Sequence, residues 1–177
     1  MLISEALLLA TNTLKQQGIN SNRVDALLLL CHCLSFSKEQ VIFNPQLVIN
    51  LQQQKQFFAL IQRRANREPV SHLVGHREFY GIDFSINNNV LDPRPDSETL
   101  IELTFEKFID KNSNLNILEL GVGSGCLLLT LLKNFPNSSG IGVDISDLAL
   151  EVARKNANLL DLSHRTQLLK SNWFSGL

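Results

Sequence analysis

At 177 residues with 44% hydrophobic side chains, the chain is long enough for one ordinary domain or two small ones and apolar enough for a packed core. A formal net charge of −1 gives no whole-chain electrostatic case for nucleic acid, and no uninterrupted apolar run reaches the length of a membrane span. The apolar first ten residues lack a basic leading segment and contain Glu5, against a signal peptide, and the odd set Cys31, Cys33 and Cys126 reads as reduced thiols in the cytoplasm.

Residues 1 to about 75 read as helical. Ile3, Ala6, Leu7, Ala10 and Leu14 recur at helical spacing, and Gly18 ends that segment. Ser21 or Asn22 is placed to cap a second helix from Arg23 to about Leu34, and Ser37 a short third one. Within the second, Cys31-His32-Cys33 reads as small buried thiols rather than a metal site, because no fourth ligand is in sight. Pro45 interrupts the pattern. A long fourth segment is expected from Leu47 to about Asn66, its end marked by Arg63, Arg64 and Arg67 as a solvated, dipole-matched helix terminus.

Alternating apolar residues on either side of Gly81 predict a β-hairpin. His72 and His76 lie four apart, but Gly75 weakens a shared helix and no carboxylate completes a ligand set, so a hydrogen-bonding structural role is expected for both. The run Pro93-Arg94-Pro95-Asp96-Ser97-Glu98 is extended by its prolines, and Asp96 or Ser97 is expected to cap a helix to about Ile109. Capping accounts for the neighbours of Arg94 but not for Arg94, a candidate ligand contact near the mouth of the next motif.

That motif is Asn116-Ile117-Leu118-Glu119-Leu120-Gly121-Val122-Gly123-Ser124-Gly125-Cys126, a short apolar strand running into three alternate glycines and then an apolar helix. Strand, glycine turn and helix bring backbone N–H groups close to a ligand. Dinucleotide sites call for G-x-G-x-x-G, whereas here Cys126 stands where the third glycine would fall. A second strand-like run, Gly140 to Val143, ends in Asp144, 19 residues beyond Gly125, a separation suited to one β-α-β step. A carboxylate at that strand tip can accept from both ribose hydroxyls. Glycine loop plus ribose acid indicates an adenosine-type cofactor, and the spacing favours S-adenosylmethionine over NAD. Ser146 or Asp147 is expected to cap the next helix, to about Leu160. A third strand-like run, Thr166 to Lys170, leads to Ser171-Asn172-Trp173-Phe174, where Trp173 can cover an adenine face and Asn172 can accept from its amine.

Taken together, these segments resemble the release-factor glutamine methyltransferases, the HemK/PrmC family. The resemblance rests on Glu68-Pro69-Val70-Ser71-His72-Leu73 with Gly75, Arg77, Glu78 and Phe79, on Pro93 to Glu98, on Glu119 to Gly125, on Val143-Asp144 and on Ser171 to Phe174. It implies an α/β chain divided into a helical substrate-recognition domain (1–75), a hairpin linker (76–92) and the first part of a class I, Rossmann-like methyltransferase domain (93–177). It also implies methyl transfer from S-adenosylmethionine to the side-chain nitrogen of the G-G-Q-loop glutamine of class 1 peptide-chain release factors, by a cytoplasmic monomer with no metal, membrane or direct nucleic-acid partner. By match to the motifs, Gly121, Val122, Gly123, Ser124, Gly125, Asp144 and Trp173 hold the donor, with weaker contributions from Asn172 and Arg94.

Two residues depart from the pattern: Asp92 stands where an apolar residue is usual, and Asn172 where an aspartate is common. The family's catalytic N-P-P-Y motif, which orients the substrate amide, is absent from the sequence, so no catalytic residue is assigned. The expectation is that residues 1–177 alone are inactive and prone to aggregate through an unpaired first strand. The alternatives are a non-catalytic release-factor-binding fragment and a nucleic-acid amino-methyltransferase.

Overall fold

The computed structural model describes residues 1–175, in two compact units, Met1–Val74 and a second beginning at Gly75. Among the described residues no helix is long and apolar enough to cross a membrane.

The first unit holds α1 (Ile3–Gln16), α2 (Asn22–Leu34), α3 (Lys38–Phe43), α4 (Leu51–Ala65) and the short α5 (Val70–Val74). The fully buried residues of α1, Ile3, Ala6, Ala10 and Leu14, form one face and pack with Leu29, Leu30, Phe57 and Ile61. Reciprocal side-chain caps start α3 (Ser37 with Gln40) and α4 (Asn50 with Gln53). The cap at Asn50 explains why α4 begins later than the apolar pattern suggests. Leu47 and Ile49 stay extended, with Leu47 accepting from Ile3 N and Ile49 N donating to the Met1 carbonyl, both at 3.0 Å. Cys31 and Cys33 are free and partly buried against this core, and burial pushes the Cys33 thiol up to about 11.

Two expectations need correction here, and a third gains detail. Ser21 makes no side-chain cap; its hydroxyl donates to Asp25 at 2.7 Å, and Asp25 also accepts from Arg64 Nε at 2.7 Å. The arginines do mark the end of α4, with Arg63 and Arg64 in its last turn and Arg63 and Arg67 exposed, and each also has a partner: Arg64 is paired with Asp25, Arg63 with Glu68, and Arg67 donates to the Gln17 carbonyl at 2.7 Å. His72 Nε2 is buried without a hydrogen-bond partner among the described residues.

The second unit opens with a hairpin, β1 (His76–Phe79) antiparallel to β2 (Ile82–Ser85), in which His76 Nδ1 lies 2.8 Å from Asp83 Oδ1. Its two-residue turn places Tyr80 and Gly81 at φ 50° and 71°, a left-handed pair that suits the strand twist. The Tyr80 N–H donates to the Glu98 carboxylate at 3.1 Å, and the Tyr80 ring meets Phe105 edge-on. A 3-10 turn, Pro95–Ser97, runs straight into α6 (Glu98–Lys107). Ser97 is therefore already helical, and contrary to expectation its side chain caps nothing. Asp92, the departure from the motif, lies 3.9 Å from Arg77, its buried Oδ1 without a hydrogen bond.

β3 (Asn116–Leu120), α7 (Cys126–Asn134), β4 (Ser139–Asp144), α8 (Asp147–Leu159) and β5 (Thr166–Lys170) follow in strict alternation. Among the described residues the three strands form a parallel sheet in the order β3-β4-β5, with Leu120 opposite Val143 and Asp144 opposite Lys170. Parallel pairing of successive strands puts all three carboxyl ends on one edge. The architecture is mixed α/β, with a helical unit, a small antiparallel hairpin and a Rossmann-like parallel sheet. Leu128, Leu129, Leu132, Leu150 and Ala153 fill the core with Phe79 and Phe84 of the hairpin.

Candidate functional site

The carboxyl ends of β3, β4 and β5 meet around Asp144. Gly121, Gly123 and Gly125 take φ of 76°, 53° and 80°, a left-handed series that side-chain-bearing residues resist. The bend is anchored from beneath, because Gly121 N and Val122 N both donate to the Val143 carbonyl at 2.9 Å, and Gly125 N closes a turn onto the Val122 carbonyl at 2.7 Å. Gly123 N donates to Asp144 Oδ2 at 3.0 Å, and Ser146 N to Asp144 Oδ1 at 3.0 Å. The main chain after β5 joins the same point, since Ser171 N donates to the Asp144 carbonyl at 3.0 Å.

The upper side of the bend is open. A Cβ built on Gly121 meets nothing within 4 Å, and one on Gly123 meets only the Gly121 carbonyl, at 4.0 Å. A side chain at either place would fill that space. Below the bend there is no such room: a Cβ on Gly142 of β4 would lie 2.7 Å from Val122 Cγ2 and 2.9 Å from Leu168 Cδ2. Gly142 thus lets the loop settle onto the sheet.

The start of α7 is tied to the strand before the loop. Leu128 N donates to the Glu119 carboxylate at 3.0 Å. Burial pushes the Glu119 carboxyl up to about 8; the Leu128 N–H opposes the rise and the charge of Asp144 adds to it. Burial likewise raises the Cys126 thiol to about 11, against a hydrogen bond with Ser124.

Of the residues singled out from sequence, 121–125 and Asp144 form one hydrogen-bonded group. Asn172 and Trp173 lie on the segment joined to that group through Ser171, both with exposed side chains. Trp173 is 66% exposed at φ 55°, an unusual backbone state for a bulky residue, and its carbonyl accepts from Ser171 Oγ at 2.8 Å. Arg94 stands apart. Its side chain is exposed and makes no hydrogen bond or ion pair with a described residue.

Two residues were missed. Glu119 carried a signal, a charge inside an otherwise apolar parallel strand. Asn156 carried a fainter one, a polar residue in phase with Ala149, Val152 and Ala153 on the buried face of α8.

Residues 5–75 match the family model described as the PrmC N-terminal domain, and residues 111–177 match a model described as a methyltransferase domain. A release factor glutamine methyltransferase of Agrobacterium fabrum is 37% identical over 175 residues, covering 97% of this chain and 61% of the relative. One of Caulobacter vibrioides is 38% identical, covering 95% and 58%. The chain is homologous to the release factor glutamine methyltransferases. A bifunctional methyltransferase of Rickettsia conorii is 34% identical, covering 95% of this chain and 36% of the relative. The chain thus spans about three fifths of the first two relatives' length. Within the homologous region, the methyltransferase model takes in the whole glycine loop, Asp144 and Trp173, while the hairpin and Pro93 to Glu98 lie between the two matches.

Proposed function

We propose that the protein transfers a methyl group from S-adenosylmethionine to the side-chain amide nitrogen of the G-G-Q-loop glutamine in class 1 peptide-chain release factors. In this reading residues 1–75 recognise the substrate, 76–92 link, and 93–177 supply the donor-binding part of the transferase domain. The observation that carries the donor site is the open glycine bend with the Asp144 carboxylate pinned against it at 3.0 Å.

The residues present fit the donor. An open side on Gly121 and Gly123 admits a ligand against the main chain. Asp144 spends one lone pair of each oxygen on an amide and keeps another for each of two ribose hydroxyls. Trp173 offers an exposed ring to the adenine face, Asn172 an amide oxygen to its amine, and Arg94 a weaker contribution from its positive charge. Bound there, S-adenosylmethionine supplies a methyl group on a sulfonium, already activated for transfer. The work left to these side chains is to bind, orient and exclude water, since alignment and electrostatics dominate such a step. The hydrogen bonds that hold the bend in place lower the cost of ordering it on binding.

The test uses full-length protein with radiolabelled S-adenosylmethionine and three acceptors: a class 1 release factor, the same factor with its G-G-Q glutamine changed to alanine, and total RNA. Label on the first alone is expected. Label on RNA instead would assign the protein to the nucleic-acid amino-methyltransferases, and label on none would end the transferase reading.

A further inference from the structure

We propose that Asn156 is a positioning residue that fastens the glycine bend to the hairpin, so that donor affinity depends on β2 staying docked. The inference rests on the donor-site reading above. The Asn156 side chain is 1% exposed in an otherwise apolar face of α8, where an unpaired amide would be strongly unfavourable. It is paired in a directed way. Oδ1 accepts from Ser85 N at 2.8 Å, and Nδ2 donates to the Ser85 carbonyl at 3.0 Å and to the Ser124 carbonyl at 2.9 Å. The two bonds to Ser85 copy a rung of a strand ladder, so Asn156 acts as a one-residue partner for the end of β2.

The third bond reaches the bend itself. The peptide unit between Ser124 and Gly125 has its carbonyl held by Asn156 and its N–H held by Val122, so it is fixed at both ends. Gly125, at φ 80°, leaves that unit freer to rotate than a residue with a side chain would. Its orientation sets where the following helix start points its amides. A residue serving only to fill the core could be apolar; this amide joins segments 71 and 32 positions away.

The experiment uses full-length protein and S-adenosylhomocysteine as the probe, reading affinity by calorimetry and exchange of the Ser85 amide by NMR. In wild type the ligand is expected to slow Ser85 exchange severalfold, although Ser85 lies outside the bend. Asn156→Asp, which keeps the acceptor and loses both donated bonds, is expected to weaken affinity about tenfold and abolish that protection. Ile101→Ala, a buried change on α6, is expected to lower the melting temperature while leaving affinity and Ser85 protection intact. Wild-type affinity in Asn156→Asp, or Ser85 exchange in wild type indifferent to the ligand, overturns the proposal. If Asn156→Asp does not fold, the wild-type exchange result decides alone. No binding to wild type would instead overturn the donor site itself, and this proposal with it.

Discussion

The helical unit and the α/β unit use hydrogen bonds differently. In the first, most polar contacts are local: Ser37 with Gln40, Asn50 with Gln53, Arg63 with Glu68. In the second, the decisive ones are long-range: Gly123 with Asp144, Ser85 and Ser124 with Asn156. Local bonds set where a helix starts, whereas long-range bonds fix a loop that has no regular structure of its own. The difference locates where substitutions should affect stability alone and where they should affect binding as well.

The largest stability effect is expected in the helical unit. Asp25→Ala strands Arg64, whose side chain is only 17% exposed, and should cost about 3 kcal/mol in urea unfolding, with donor affinity unchanged. A drop in affinity would contradict a purely stabilising role for this pair. Gly142→Ala sharpens the contrast, since the added methyl pushes against Val122 from below. About 2 kcal/mol of stability and about tenfold in affinity should go together, by unfolding and calorimetry on the same sample.

Next comes a pH dependence. Glu119 titrates near 8 when folded, above its ordinary value of 4.5, so the folded chain holds a proton that the unfolded chain releases. Its contribution is neutral below the unfolded value, grows steadily unfavourable up to about 8, and is constant beyond. Glu119→Gln should therefore gain at least about 1 kcal/mol over wild type between pH 5 and pH 8. An equal margin at both pH values would contradict the raised titration. The smallest effect concerns Asp92. Replacing its ill-satisfied carboxylate with leucine should be neutral or stabilising by up to about 1 kcal/mol, because Arg77 is exposed enough to stand alone.

The same division explains what could be read from the sequence. Strands, helices and the β-α-β alternation followed from apolar periodicity, and the adjacency of residues 121–125 and Asp144 followed from their spacing within that alternation. What escaped depended on side-chain partners and on local backbone geometry that apolar periodicity does not report. Ser21 looked like a helix cap until Asp25 and Arg64 drew its hydroxyl away. Ser97 looked like one until a 3-10 turn made it helical. Asn156 gave no hint that its amide serves residues 71 and 32 positions earlier. Arg94 was expected beside the glycine bend because its motif leads a helix toward it, yet no hydrogen bond or ion pair ties its side chain to a described residue.

The most direct measurement is calorimetric titration of the full-length protein and its Asp144→Ala variant with S-adenosylmethionine. Asp144 pins Gly123 and, in this account, also takes the ribose hydroxyls, so the account predicts saturable binding to wild type and at least about a hundredfold loss in the variant. Equal affinity for the two, with the variant still folded, would contradict it.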